Sequence, residues 1–205
     1  MGNKNTFYRI LKLDKSIYSE LIVNSSSIQK AVGIWIASYL VSYVAIFTLF
    51  EDFINLLRSN LSLLASGLPE GSLLELKILI SDLEVAFNSE ATFEGLLNTL
   101  VSSLFSGLIG VGFIFIVCKY LFRKEPNFIQ IIIITGFASV TGLLNIPILF
   151  IDSFGLKLMI VFISSIYGLI CLGSGLKQVY YLRNIETILL VLGGSIASTF
   201  FLEGF

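Results

Sequence analysis

The sequence contains no histidine. That removes the commonest general base and the commonest metal ligand together, so serine–histidine proteolysis and a histidine-held catalytic metal both fail. Charge is also scarce, at 13% of residues, and 13 Lys and Arg stand against 14 Asp and Glu for a net charge of −1. No basic surplus points to nucleic acid. Only two cysteines occur, Cys118 and Cys171, both inside apolar stretches. They form neither a metal-binding spacing nor a disulfide framework, and they read as buried small hydrophobes. GxGxxG and the P-loop lysine pattern are missing, so no phosphate cradle is expected. Nothing calls for a metal or a cofactor, and no reaction is expected of the chain. Gly-rich or Ser-rich linkers are absent, and residues 1–205 read as one membrane domain.

What fills the chain instead is apolar: 56% of residues are hydrophobic and the mean hydropathy is +0.92. No single soluble core of this size buries that much, so the expected fold is all-α, a polytopic membrane helical bundle. Crossing a hydrocarbon core of roughly 30 Å takes about 20 helical residues. Five charge-free runs approach that length: Ala31 to Phe50, Gly95 to Cys118, Asn127 to Ile151, Leu158 to Leu176 and the shorter Thr187 to Leu202. The first 30 residues carry Lys4, Arg9, Lys12, Lys15 and Lys30 without the apolar core of a secretory signal, so the first span is expected to direct its own insertion.

Sidedness follows from the flanks. Lys and Arg number five before the first span, two in residues 51–94, then three, one, two and none, so alternate flanks sum to ten against three. The positive-inside rule then predicts five crossings, a cytoplasmic N-terminus and an extracytoplasmic C-terminus.

Two segments lie outside the spans. In TFYRILKLDKSIYSELI, Phe7, Ile10, Leu11, Ile17, Tyr18 and Leu21 recur at helical spacing while Arg9, Lys12 and Lys15 fall mostly off that face. This basic amphipathic segment either lies on an anionic leaflet through Arg9, Lys12 and Lys15 or caps the cytoplasmic end of the bundle. Residues 51–94 hold eight acids, and within them Leu73, Leu76, Ile80, Leu83 and Phe87 predict an acidic amphipathic helix. Leu68, Pro69, Glu70 and Gly71 mark a break before it. That helix either shields its own bundle or docks on a partner.

No span carries Asp, Glu, Lys or Arg in its interior, which disfavours charge-coupled transport. The polar residues there are neutral and stand beside small ones: Ser103 with Gly107, Ser164 with Gly168, Gly193 with Ala197, Gly194 with Ser198, and Gly136 in the third span. Small residues four apart let helices approach closely, which explains them as packing; alternatively their faces receive another protein's helix or a lipid. Asn145 and Pro147 predict a kink in the third span, because proline frees a carbonyl one turn earlier and the asparagine amide can serve it.

FYRILKLDKSIYSEL, a first span, the connection KYLFRKEPNFIQIIIITGFA and finally GLKQVYYLRNIETILLVL resemble, in that order, the Yip1 domain family. The likeness runs from about Thr6 to about Gly194 apart from the acidic outer segment. It implies a five-span bundle with a cytosolic N-terminus and an extracytosolic C-terminus. Eukaryotic members associate with one another and with prenylated Rab GTPases in vesicle traffic. Here the N-terminal region is much shorter and the DLYGP type of motif is absent, so Rab GTPase binding is not carried over. The family often has a proline soon after the GFA of the third span; this chain has Thr141 near that place and Pro147 later. The prokaryotic branch is the better likeness, which implies a bacterial inner membrane or a thylakoid.

The sequence therefore predicts a non-enzymatic Yip1-like membrane protein whose partners are the lipid bilayer and other membrane proteins or its own copies. Two rivals stand beside it. One is a passive carrier or channel for a neutral or lipidic solute with Gln130, Asn145 and the serines as a polar track. The other is a redox role for Cys118 and Cys171.

Overall fold

A computed structural model describes residues 3–24, 26–61, 63, 72–90 and 92–202. These residues form helices joined by short connections, with no strand among them. Two short helices, α1 (Asn3–Leu11) and α2 (Ser16–Val23), precede the long α3 (Ser27–Ser59). Then come α4 (Ser72–Glu90) and α5 (Phe93–Ile116), the latter closed by a π-helical turn over Val117–Leu121. The third apolar run divides into α6 (Phe128–Ala138) and a 3₁₀ stretch over Ser139–Phe150. Two further helices, α7 (Phe154–Tyr180) and α8 (Asn184–Leu202), complete the chain.

Among the described residues four elements are long and apolar enough to cross a membrane: Ser27–Ser59, Phe93–Leu121, Phe128–Phe150 and Phe154–Tyr180. The fifth expected crossing is the shorter α8, whose 19 residues reach only about 28 Å. Most helices overrun the charge-free cores read from the sequence. In α3 the helix runs past Glu51 and Asp52 to Ser59, since acids and leucines favour helix and no Gly or Pro interrupts them. Local chemistry sets the other ends. The Thr92 hydroxyl accepts from the Gly95 N–H at 3.0 Å and the Asn127 side chain from the Ile129 N–H at 2.9 Å, two N-caps that begin α5 and α6. Tyr181, in the left-handed region at φ 51°, ends α7.

The outside of the bundle is largely apolar as well as its core. Leu97, Val101, Phe105 and Leu108 form an exposed stripe along α5, beside exposed Asn98 and Ser102, and Ile185, Ile188, Leu192 and Ile196 form one along α8. Inside, α3 packs along both halves of the third run and α5 pairs with α8. The core is densest at the end of the bundle that carries α1 and α2. There Ile10, Ile17, Tyr18, Ile114, Ile131, Ile134, Cys171, Leu176 and Leu190 form one buried cluster. The opposite end is tied by Lys157, buried at the start of α7, whose Nζ lies 2.6 Å from Asp52 Oδ2 on α3.

Within the acidic segment, Ser72–Glu90 is helical as α4. Its apolar face turns to the bundle: Ile80 is buried and the Phe87 ring stacks on Phe47 and Phe50 of α3, with centroids 4.0 and 5.1 Å apart. Arg58 of α3 pairs with Glu84 of α4. Leu68, Pro69, Glu70 and Gly71 lie outside the described residues.

Candidate functional site

The third span carries the polar centre of the bundle. Asn145 is 5% exposed, and its amide joins three elements. Nδ2 donates to Ser42 Oγ of α3 at 3.1 Å, while Oδ1 accepts from Ser164 Oγ of α7 at 2.6 Å. A buried amide in hydrocarbon needs such partners, because each one missing leaves a polar group unsatisfied where no water replaces it. Around the triad a cavity of about 260 Å³ is lined by Trp35, Ser38, Tyr39, Thr141 and Gly168 as well. Ser38 is 3% exposed and its hydroxyl has no partner in the structure. On the other side of Trp35 a second cavity of about 270 Å³ is lined by Ser103, Ser106, Gly107 and Thr135. The Thr135 hydroxyl is likewise buried and without a hydrogen bond.

The third run changes its winding ahead of Pro147. The α-helix gives way to 3₁₀ turns at Ser139, eight residues before the proline, and Pro147 itself is exposed on the outside of the bundle. Two hydroxyls bond the backbone at the point of change. Ser139 Oγ donates to the Gly136 carbonyl at 2.7 Å and Thr141 Oγ1 to the Ala138 carbonyl at 3.2 Å, so side chains compete for backbone acceptors at the point of change. Asn145 does not serve a carbonyl freed by Pro147; it bridges helices. A 3₁₀ rise of about 2.0 Å per residue also lengthens the run, and residues 128–150 reach about 40 Å, ample for a crossing.

The small residues mark close helix approaches. At Gly136 an added Cβ would lie 2.5 Å from the Ala31 carbonyl oxygen, so α6 and α3 touch backbone to backbone. Gly107 leaves the slot that the Trp35 indole fills, since a Cβ there would meet the ring at 2.1 Å. Gly194 stands against Ile114 and the Gly110 carbonyl, and Gly193 faces the Phe113 ring, both in the pairing of α8 with α5. The same pair is bonded by Ser106 Oγ, which donates to the Ser198 carbonyl at 2.6 Å. Gly168 of α7 meets Thr141, one turn from Ser164 in the triad. Ser103 lines the cavity beside Gly107.

The basic N-terminal residues divide. Leu13 adopts a left-handed conformation at φ 57° and turns the chain between α1 and α2. Arg9 closes that turn: its guanidinium donates to Asp14 at 2.7 Å, to Ser16 at 2.9 Å and to both oxygens of Glu20 at 2.8 and 2.9 Å. Bonds from Ser16 first and from Arg9 second hold the Asp14 carboxyl below its ordinary range, and Arg9 does the same for Glu20. Those partners, Glu20 above all, keep the guanidinium charged well above its ordinary value. Arg9 is thus tied within the segment, whereas Lys12 and Lys15 are exposed, with Lys12 Nζ 4.4 Å from the Tyr8 ring centre. The apolar face of the segment does not lie on lipid. Ile10, Ile17 and Tyr18 are buried, the Tyr167 hydroxyl of α7 donates to the Leu11 carbonyl, and Cys171 Sγ lies 3.9 Å from the Ile10 carbonyl. The two short helices cap the bundle.

Cys118 and Cys171 are both buried and free, and no group of three or more metal-ligating His, Cys, Asp or Glu occurs among the described residues. Tyr180, whose hydroxyl reaches the Asn127 carbonyl at 3.3 Å, and the Lys157–Asp52 pair escaped the sequence reading, because each partner lies far away along the chain. Comparison with known proteins returned no match: no family model fits the chain, and neither a curated protein nor a solved structure is detectably similar to it.

Proposed function

We propose that this chain is a non-enzymatic, five-span membrane protein of the Yip1 type, with its N-terminus in the cytoplasm and its C-terminus on the other side of a bacterial inner membrane or a thylakoid. It organises the membrane or assembles a complex by packing against other membrane proteins or its own copies. The observation that carries this reading is the destination of the polar atoms in the spans. Asn145, Ser42, Ser164 and Ser106 bond across helices inside the bundle, and the outward faces are mostly apolar, with Ser102, Ser165 and Thr199 as exposed exceptions. Such a body is a pre-formed unit that presents shape to other helices. Purification in mild detergent followed by cross-linking and mass spectrometry should recover a stoichiometric partner or a defined oligomer; a solitary monomer under those conditions refutes the assembly role. Reporter fusions after Lys124 and after Phe205 should report opposite sides of the membrane.

A second reading has its own support. The cavities of about 260 and 270 Å³ on either side of Trp35, lined by serine, threonine and asparagine, suit a neutral polar solute. A passive carrier would give flux of such solutes in proteoliposomes, accelerated when Trp35 is cut to alanine. The lack of any flux favours assembly.

A further inference from the structure

Between α7 and α8, at the end of the bundle capped by α1 and α2, runs a groove of about 500 Å³. Its walls are two stripes at helical spacing. On α7, Ile166, Ile170, Gly173 and Lys177 follow one another, and on α8, Asn184, Ile188, Val191 and Leu192 do the same. The groove is graded along its length. Lys177, Asn184 and Lys15, brought in from the start of α2, stand at the helix ends, while Ile166 and Leu192 lie furthest into the apolar zone. From Lys177 to Ile166 is about 16 Å along the helix, close to the depth of one leaflet. The side toward the bilayer is open, since Ile166, Ile170, Ile188 and Leu192 are 43–56% exposed. Gly173 deepens the floor against Thr187.

The charged end is built for an anion. Two cations line it and no acid does. The neighbouring acids in sequence are engaged elsewhere: Asp14 by Arg9 and Ser16, and Glu186 by the Arg183 backbone N–H at 2.7 Å. Lys177 is held in place by a bond to Asn184 Oδ1 and keeps further donors free. Lys15 is positioned by the Arg9 clamp, whose partners Asp14 and Ser16 flank it on both sides.

We propose that this groove binds one anionic phospholipid, with an acyl chain between α7 and α8 and the phosphate between Lys15 and Lys177. A charged head joined to a long apolar tail is the one chemistry that matches both ends of the groove, and basic pockets between helices at the membrane boundary take such head groups. The inference goes beyond the proposed role in assembly and does not depend on it.

The test is native mass spectrometry of the full chain in detergent, titrated with phosphatidylglycerol or with phosphatidylcholine of the same acyl chains. One tightly held phosphatidylglycerol is expected, with a preference on the order of thirtyfold from two well-placed lysines. Lys15→Gln with Lys177→Gln should bring that preference down to the phosphatidylcholine level, whereas Lys12→Gln with Lys119→Gln should leave it in place. Ile170→Trp should obstruct the tail and reduce retention of either lipid, with circular dichroism reporting that the variant is folded. Equal retention of the two lipids by the unaltered protein, or an undiminished preference in the Lys15/Lys177 variant, overturns the proposal. So does displacement of the bound lipid by millimolar inorganic phosphate, which would make the lysines a phosphate site without a tail.

Discussion

Adding one methyl group at Gly136 tests whether backbone contact between α3 and α6 holds the bundle. In Gly136→Ala the new Cβ lies 2.5 Å from the Ala31 carbonyl oxygen and 2.8 Å from the Ala31 Cβ, and real Cβ atoms essentially never come within 3.0 Å of such neighbours. The carbonyl belongs to the helix backbone and cannot swing aside, so α3 has to move by half an ångström or more at a point where Ala31 and Ala138 are buried. Overpacking of this kind costs about 1–3 kcal/mol, against a gain of up to about 1 kcal/mol from replacing a helical glycine with alanine. At roughly 2–4 °C per kcal/mol for a chain of this length, the melting temperature should fall by several degrees. The assay is built in. Cys118 and Cys171 are the only thiols and both are 0% exposed, so a thiol-reactive fluorogenic dye reports unfolding directly in detergent. Gly112→Ala is the control, because nothing lies within 4 Å of its added Cβ and only the propensity gain remains. A Gly136→Ala protein that melts at or above the unaltered temperature would sink the claim of backbone contact.

Asn145→Leu should destabilise the bundle by about 1–2 kcal/mol, the range measured for interhelical hydrogen bonds in membranes. The loss should be strongly non-additive with Ser164→Ala, which a double-mutant cycle by the same dye assay would reveal. Pro147→Leu should leave insertion and melting temperature nearly unchanged, since the side chain is exposed and the helix changes character at Ser139; a shift beyond a few degrees would return the break to the proline. Acid should loosen the N-terminal cap. Asp14 and Glu20 have folded pKa values below the ordinary carboxylate range, so their contribution is complete above about pH 4.5 and is lost as pH falls through the lowered values. Limited proteolysis of α1 should accelerate in that window, whereas Arg9→Ala should be cleaved faster already at neutral pH and respond less to acid; cleavage of the unaltered protein that ignores pH refutes the clamp.

Much of the architecture was legible because membrane helices obey one loud rule. The charge-free runs at 31–50, 95–118, 127–151 and 158–176 each lie within or nearly coincide with an apolar helical segment, since hydrocarbon admits few other backbones. Helix ends were less legible. Lys157 sits inside α7 although it is charged, and the carboxylate of Asp52 that makes its burial tolerable comes from a different helix. The 3₁₀ stretch over Ser139–Phe150 has no signature in the apolar pattern, which is the same for either helix type. Of the packing residues, the small-residue spacing found Gly107, Gly136, Gly193 and Gly194, yet it said nothing of what each would touch. Trp35 reads from the sequence as a ring for the membrane interface, with no sign that it fills the slot at Gly107, and Ala31, opposite Gly136, carries no signal of its own. For the N-terminal segment the apolar periodicity was plain, and two coverings stood open. Tyr167 and Cys171, more than 150 positions away, settle that the bundle covers it.

That cap imposes an order on biogenesis. The residues that receive Ile10 and Leu11 belong to α7 and are synthesised more than 150 residues later, so α1 is made long before its seat exists. At translation rates of 5–20 residues per second, its greasy side waits bare for on the order of 10–30 s. During that interval a chaperone or the membrane surface must shelter it, and a chain truncated before Tyr167 would keep it exposed for good.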